Sequence, residues 1–99
     1  MMYYKVYARE WGKMVAVCDE ELCNKTLKDE NIEFFINPRF YKDKEGDCEQ
    51  VISLLKEAGS ANLVGEEAVN CGVEAGLIDA RNVIKINNVP HAQAIVMNF

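Results

Sequence analysis

The chain has 99 residues, of which 49% are hydrophobic and 27% charged, with only 6 Gly and 2 Pro. That balance excludes intrinsic disorder, which needs low hydrophobicity with high net charge, and excludes fibrous or collagen-like chains. The formal charge is −5, and neither half is a basic arm (8 basic against 11 acidic residues up to residue 50, 3 against 5 beyond it), so duplex DNA, gripped through neutralised phosphates, is not an expected partner.

Met2 to Ala8 alternates, with Tyr4, Val6 and Ala8 on one side and Tyr3, Lys5 and Tyr7 on the other, which is the period of a strand. Arg9 to Gly12 reads as a turn, and Lys13 to Cys18 as a mid-sheet strand covered on both faces. The two make a hairpin. Asp19 to Leu22 predicts a short turn in which the Asp19 carboxylate accepts from amides just downstream. Residues 23–31 read as loop with a brief extended piece near Lys25–Leu27, Ile32 to Ile36 as a strand ended by Pro38, and Arg39 to Gly46 as a polar loop.

Asp47 with Gln50 three residues on has the spacing of a capping box. Cys48, Val51, Ile52 and Leu55 then form one helical stripe, and Gly59 provides the stop. A second helix is expected from Asn62 to Ala75, its Val64, Ala68, Cys71 and Ala75 on one close-packing face. Gly76 is its left-handed terminator, with Leu77 folding back. Asn82 to Ile86 and Ala92 to Met97 read as two last strands joined through Asn87-Asn88-Val89-Pro90. The order β-β-β-α-α-β-β predicts an α+β fold: a mostly antiparallel sheet of about five strands with two helices packed on one side, in a single domain over residues 1–99.

The longest apolar run, Met14 to Cys18, is far short of the roughly 20 residues that cross a bilayer. The start Met1-Met2-Tyr3-Tyr4-Lys5 lacks the apolar stretch of a secretory signal. A cytoplasmic protein without membrane contact is expected, its four cysteines (Cys18, Cys23, Cys48, Cys71) reduced.

Few side chains offer chemistry. His91, the single histidine, follows a Pro-containing turn at the start of a strand, where it serves either as a general acid/base or as a turn-stabilising hydrogen-bond donor. Asp19 is the carboxylate that would orient it. Asn62 and Gly65 stand at the expected helix start, where free amides hold anions, although Glu66 and Glu67 oppose an anion there. Gln93 accompanies His91. Cys18 and Cys23, with four residues between them, could hold zinc with His91, but structural zinc wants four ligands and the other two cysteines lie on core stripes, so no metal or cofactor is expected. Tyr3, Tyr7, Trp11, Phe35 and Tyr41 are aromatic residues that stack single-stranded bases, anchor a protein partner or sit half-buried in a sheet.

Val15-Ala16-Val17-Cys18-Asp19, Phe40-Tyr41, Asn62-Leu63-Val64-Gly65-Glu66, Glu74-Ala75-Gly76-Leu77-Ile78 and Val89-Pro90-His91-Ala92-Gln93 resemble, in order, segments of an archaeal family known as domain of unknown function 424. Asn24 and Asn88 stand where that family often has Gly, and Asn adopts the same backbone. The resemblance implies an archaeal, cytoplasmic, stand-alone domain and brings Asp19, Asn62, Gly65 and His91 together as candidates. Three functional expectations follow. The first is a non-enzymatic module binding RNA or a protein partner in information processing through one sheet face and the Val89–Gln93 turn. The second is an anion- or small-molecule-binding domain, or an enzyme using His91 as acid/base. The third is a homo-oligomer, such as a homodimer, paired through the apolar Ala94-Ile95-Val96-Met97 edge.

Overall fold

The computed structural model describes residues 1–96. Strands β1 (Met2–Arg9) and β2 (Gly12–Asp19) form an antiparallel hairpin with Glu10 and Trp11 at its tip. The tip closes because Gly12 takes φ 127°, a region that L side chains avoid. A 3-10 turn (Glu20–Leu22) leads into a ribbon of β3 (Thr26–Lys28) and β4 (Glu33–Phe35). Helix α1 (Pro38–Tyr41) is a single turn, started by Pro38 and by the Asn37 side chain accepting from the Arg39 N–H. Then follow β5 (Lys44–Gly46), α2 (Cys48–Lys56), β6 (Ser60–Val64), α3 (Glu66–Glu74), a 3-10 turn (Ala80–Asn82), β7 (Ile84–Ile86) and β8 (Val89–Ile95).

The main sheet runs β5-β1-β2-β6-β8-β7. It is antiparallel except at β2–β6, which are parallel because α2 carries the chain back over the sheet. The fold is therefore α+β, with α2 and α3 on one side, as the sequence leads one to expect. Among the described residues no helix is long and apolar enough to cross a membrane.

Both sheet faces carry a core. On one face Val15, Val17 and Leu63 of the sheet pack against Val51 and Leu55 of α2 and Ala68 of α3. On the opposite face Ala16, Cys18 and Val64 of the sheet cluster with Leu27 of the ribbon, with Ile36 and with Tyr41 of α1. This two-sided cover explains the unbroken buried run Val15 to Asp19.

The capping box of α2 is complete: Asp47 Oδ1 accepts from Gln50 N–H, and Gln50 Oε1 accepts from Asp47 N–H, each at 2.9 Å. At the end of α3, Gly76 has φ 78°, and the N–H groups of Leu77 and Gly76 donate to Gly72 and Val73 carbonyls, a Schellman closure. Asn87 and Asn88, at φ 49° and 66°, make the tight turn between β7 and β8.

Other expectations need correction. The element order β-β-β-α-α-β-β omits β6, which lies between the helices. Ser60–Val64 is a strand and α3 starts only at Glu66, because Gly65 at φ 109° breaks the backbone that the Val64–Ala68 spacing would have continued. Arg39–Gly46 is not loop: it holds the end of α1 and all of β5. The Ile32–Ile36 strand shrinks to β4, and it pairs in the ribbon rather than in the main sheet. Gly59 does not stop α2, which ends three residues earlier; it lets its backbone approach the hairpin tip, where an added Cβ would sit 3.1 Å from the Trp11 carbonyl oxygen. Met97, expected in the last strand, lies outside the described residues.

Candidate functional site

Asp19 ends β2 and is almost fully buried. Its carboxylate does not accept from amides just downstream: the turn at Glu20–Leu22 has no side-chain cap. Instead Oδ1 accepts from Ala68 N–H at 2.8 Å and Oδ2 from Glu67 N–H at 3.1 Å, across 49 and 48 positions of sequence. Asp19 is thus the anion at the N-terminus of α3, complementing the helix dipole. Burial pushes its carboxyl above the ordinary carboxylate range, while the Ala68 and Glu67 amides pull it back. Gly65 makes room: a Cβ there would lie 2.2 Å from Asp19 Cγ. The Gly65 N–H donates to the Pro90 carbonyl at 2.9 Å, tying β8 to the same junction. At the helix start expected to hold an external anion, the Gly65, Glu67 and Ala68 amides are therefore occupied from within. The small cleft above them is edged by Glu21 and Glu66, which repel one.

His91 is the third residue of β8 rather than the start of a strand, since the expected turn residues Val89 and Pro90 already pair with β7; it stands opposite Val64. Its Nδ1 lies 2.9 Å from the Leu63 carbonyl oxygen and so carries the proton, leaving Nε2 as the acceptor. The ring tilts against Phe34, with centroids 5.1 Å apart. Burial lowers its pKa, and the carbonyl partner raises it by less, so the imidazole is neutral near pH 7. Asp19 does not orient His91; both carboxylate oxygens are engaged by α3, and the imidazole partner is a backbone carbonyl.

Asn62 and Gln93 come together elsewhere. They are direct partners in the β6–β8 register, on the sheet face opposite α2 and α3. Both line an open cleft of about 540 Å³ with Trp11, Met14, Phe40 and Ile95. The register explains the grouping: Tyr7, Met14, Ser60 and Ile95 form one row across the strands, and Lys5, Ala16, Asn62 and Gln93 form the next. The Tyr41 hydroxyl, itself buried, donates to Asn62 Oδ1 at 2.6 Å. That bond orients the amide and leaves its NH₂ group as a donor. Tyr41 is thus a core residue rather than one of the exposed aromatic residues. Trp11 is 69% exposed at the cleft rim.

Beside the cleft lies an aromatic and basic surface. Phe40 stacks on Tyr7 at 5.5 Å and meets Tyr41 edge-on at 4.8 Å. The Tyr7 hydroxyl donates to the Phe40 carbonyl at 2.8 Å. Lys5 Nζ and the Arg9 guanidinium lie over the Tyr7 ring, at 5.3 and 5.1 Å from its centroid, and Lys42 Nζ lies 4.8 Å from that of Tyr3. Arg39 is exposed on α1, and its carbonyl accepts from Lys5 Nζ. Sequence reasoning singled out Tyr3, Tyr7 and Trp11 but missed Lys5, Arg9, Arg39 and Lys42 as a group. The signal was the odd-numbered face of the first strand, where Tyr3, Lys5, Tyr7 and Arg9 alternate aromatic and basic. Among the described residues, no cluster of three or more His, Cys, Asp or Glu is arranged to hold a metal ion.

Residues 7–97 match the family described as "Protein of unknown function (DUF424)". No curated protein matches the chain. A solved structure with the same fold is that of an uncharacterized conserved protein from Methanopyrus kandleri, at TM-score 0.82 and 24% identity, covering 99% of this chain and 96% of that one.

Proposed function

We propose that this chain, which belongs to the DUF424 family of proteins of unknown function, is a non-enzymatic module that binds single-stranded RNA, taking one base into the Asn62–Gln93 cleft. The observation that carries the reading is the oriented Asn62 amide beside Gln93 on the floor of a cleft rimmed by Trp11 and Phe40. Single-stranded RNA is recognised by stacking on aromatic rings and by hydrogen bonds to exposed base edges. Trp11 supplies a free face; Asn62 and Gln93 supply amide groups. Lys5, Arg9, Arg39 and Lys42 supply charge for the backbone alongside.

The net charge of −5 does not oppose this, because ionic screening over about 8 Å limits distant carboxylates to a weak effect. Affinity is therefore set by the local patch and falls with salt. Strands from both ends of the chain share one sheet, which supports a single domain over residues 1–99. An archaeal origin, and with it a cytoplasmic location, belongs to the same reading, supported by the Methanopyrus kandleri fold relative.

The test is fluorescence anisotropy with labelled single-stranded RNA of mixed sequence at low salt, with the matching duplex as control. Saturable binding to the single strand, weaker binding to the duplex and quenching of Trp11 emission are expected. Trp11→Ala should weaken binding by about 1–3 kcal/mol, the usual worth of one stacked base. Removing Lys5 or Arg9 should weaken it for all sequences and reduce the salt slope. Absence of binding at low salt, or equal affinity for Trp11→Ala, overturns the reading and leaves a protein partner as the occupant to seek.

A further inference from the structure

We infer that Cys48 and Cys71 are a paired thiol site that closes to a disulfide under oxidising conditions, stapling α2 to α3. Their Sγ atoms lie 2.7 Å apart, though the residues are 23 positions apart in sequence. Each is held in place by its own element. Cys48 is the first residue of α2, directly after the Asp47 cap. Cys71 is fully buried in α3, next to Gly72, where an added Cβ would sit 2.4 Å from Leu63 Cδ1, so α3 is pressed onto the sheet. Four cysteines allow three pairings. The sheet decides among them: Cys48 and Cys71 belong to the helix-side core, whereas Cys18 and Cys23 belong to the core on the other face.

Access favours one order of events. Cys48 is partly exposed and Cys71 is not. A small-molecule disulfide accepts attack by the Cys48 thiolate, giving a mixed disulfide and releasing one thiol. Cys71 then gives up its proton and attacks Cys48 Sγ, expelling the second thiol. In balance, two protein thiols and one small-molecule disulfide become one protein disulfide and two small-molecule thiols. The bond would enclose Val51, Leu55 and all of β6, and constrain the unfolded chain over that loop.

The experiment is oxidation of the folded protein with glutathione disulfide, followed by peptide mapping without reduction. Trypsin cuts after Lys44, Lys56 and Arg81, which places Cys48 in peptide 45–56 and Cys71 in peptide 57–81; Cys18 and Cys23 share peptide 14–25. We expect the first two peptides to be linked and the third to be unlinked to either. Oxidation should raise Tm by roughly 10 °C, a shift that Cys48→Ser and Cys71→Ala each abolish. Single-stranded RNA affinity should be the same before and after, since the cleft lies on the opposite sheet face. Thiols that stay free, or a glutathione adduct on Cys48 that never passes to Cys71, overturn the proposal. Mapping of the unsubstituted protein decides this without either variant, and independently of whether RNA binds.

Discussion

The two faces of the sheet use polar groups in opposite ways. At the α3 junction, Asp19 and Pro90 take up most of the backbone donors: the N–H groups of Gly65, Glu67 and Ala68 all end on partners within the chain. In the cleft, Asn62 has one internal partner, Tyr41, and Gln93 is exposed. Satisfied polar groups under cover lock a fold, while oriented polar groups in an open cleft remain for a ligand. Asp19 and Asn62 both looked like site residues in sequence; the first has both carboxylate oxygens engaged by α3 amides, whereas the second keeps a donor for the larger cleft.

The largest test of the contrast is Gly65→Ala. The substitution forces a side chain to φ 109° and into the Asp19 carboxylate. We expect a loss of about 4 kcal/mol or more in urea unfolding, or failure to accumulate folded protein. Asp19→Ala follows, at about 2 kcal/mol, by removing the cap and baring two helix N–H groups. Neither loss should be relieved by RNA beyond the ordinary effect of ligand binding.

Tyr41→Phe reaches across to the cleft. It should cost about 1 kcal/mol of stability for the lost hydroxyl bond, and weaken RNA binding by freeing the Asn62 amide to rotate. Equal affinity in this variant would detach Asn62 from recognition. Trp11→Ala is the converse case: affinity should fall, but stability should stay within about 0.5 kcal/mol, because the side chain is exposed.

The smallest effect is a pH slope. The folded-state pKa of His91 is lowered below its usual 6.5 by burial. Above that value the imidazole is neutral in both states and favours neither. As pH falls below it, the unfolded chain binds a proton that the folded chain resists, so stability declines. Asp19, raised by burial, works in the other direction at lower pH, since the folded carboxyl protonates first. His91→Asn keeps a donor for the Leu63 carbonyl and should flatten the decline just below pH 6.5. An unchanged slope in that variant would assign it to other groups.

Local signals carried much of the fold. Alternation in Met2–Ala8, the apolar run to Cys18, the Asp47–Gln50 box, the Gly76 terminator and the Asn87-Asn88 turn were legible because each depends on neighbours within a few residues. The strand Ser60–Val64 was not, since its pattern is set by a parallel partner in β2 more than forty residues away. The same holds for the site: the aromatic–basic face of β1 could be read from its period, but its placement beside Asn62 and Gln93 depends on the register of four strands.

Taken by itself, the amino-acid order determined the α+β class, the helix caps, the turns and the family, all short-range or whole-chain properties. Tertiary structure alone decided that Asp19 closes α3 instead of steering His91, that Asn62 looks into a cleft with Gln93, and that Cys48 meets Cys71. The reason is physical: a carboxylate, an amide or a thiol has no fixed role until packing brings it a partner or leaves it open to water.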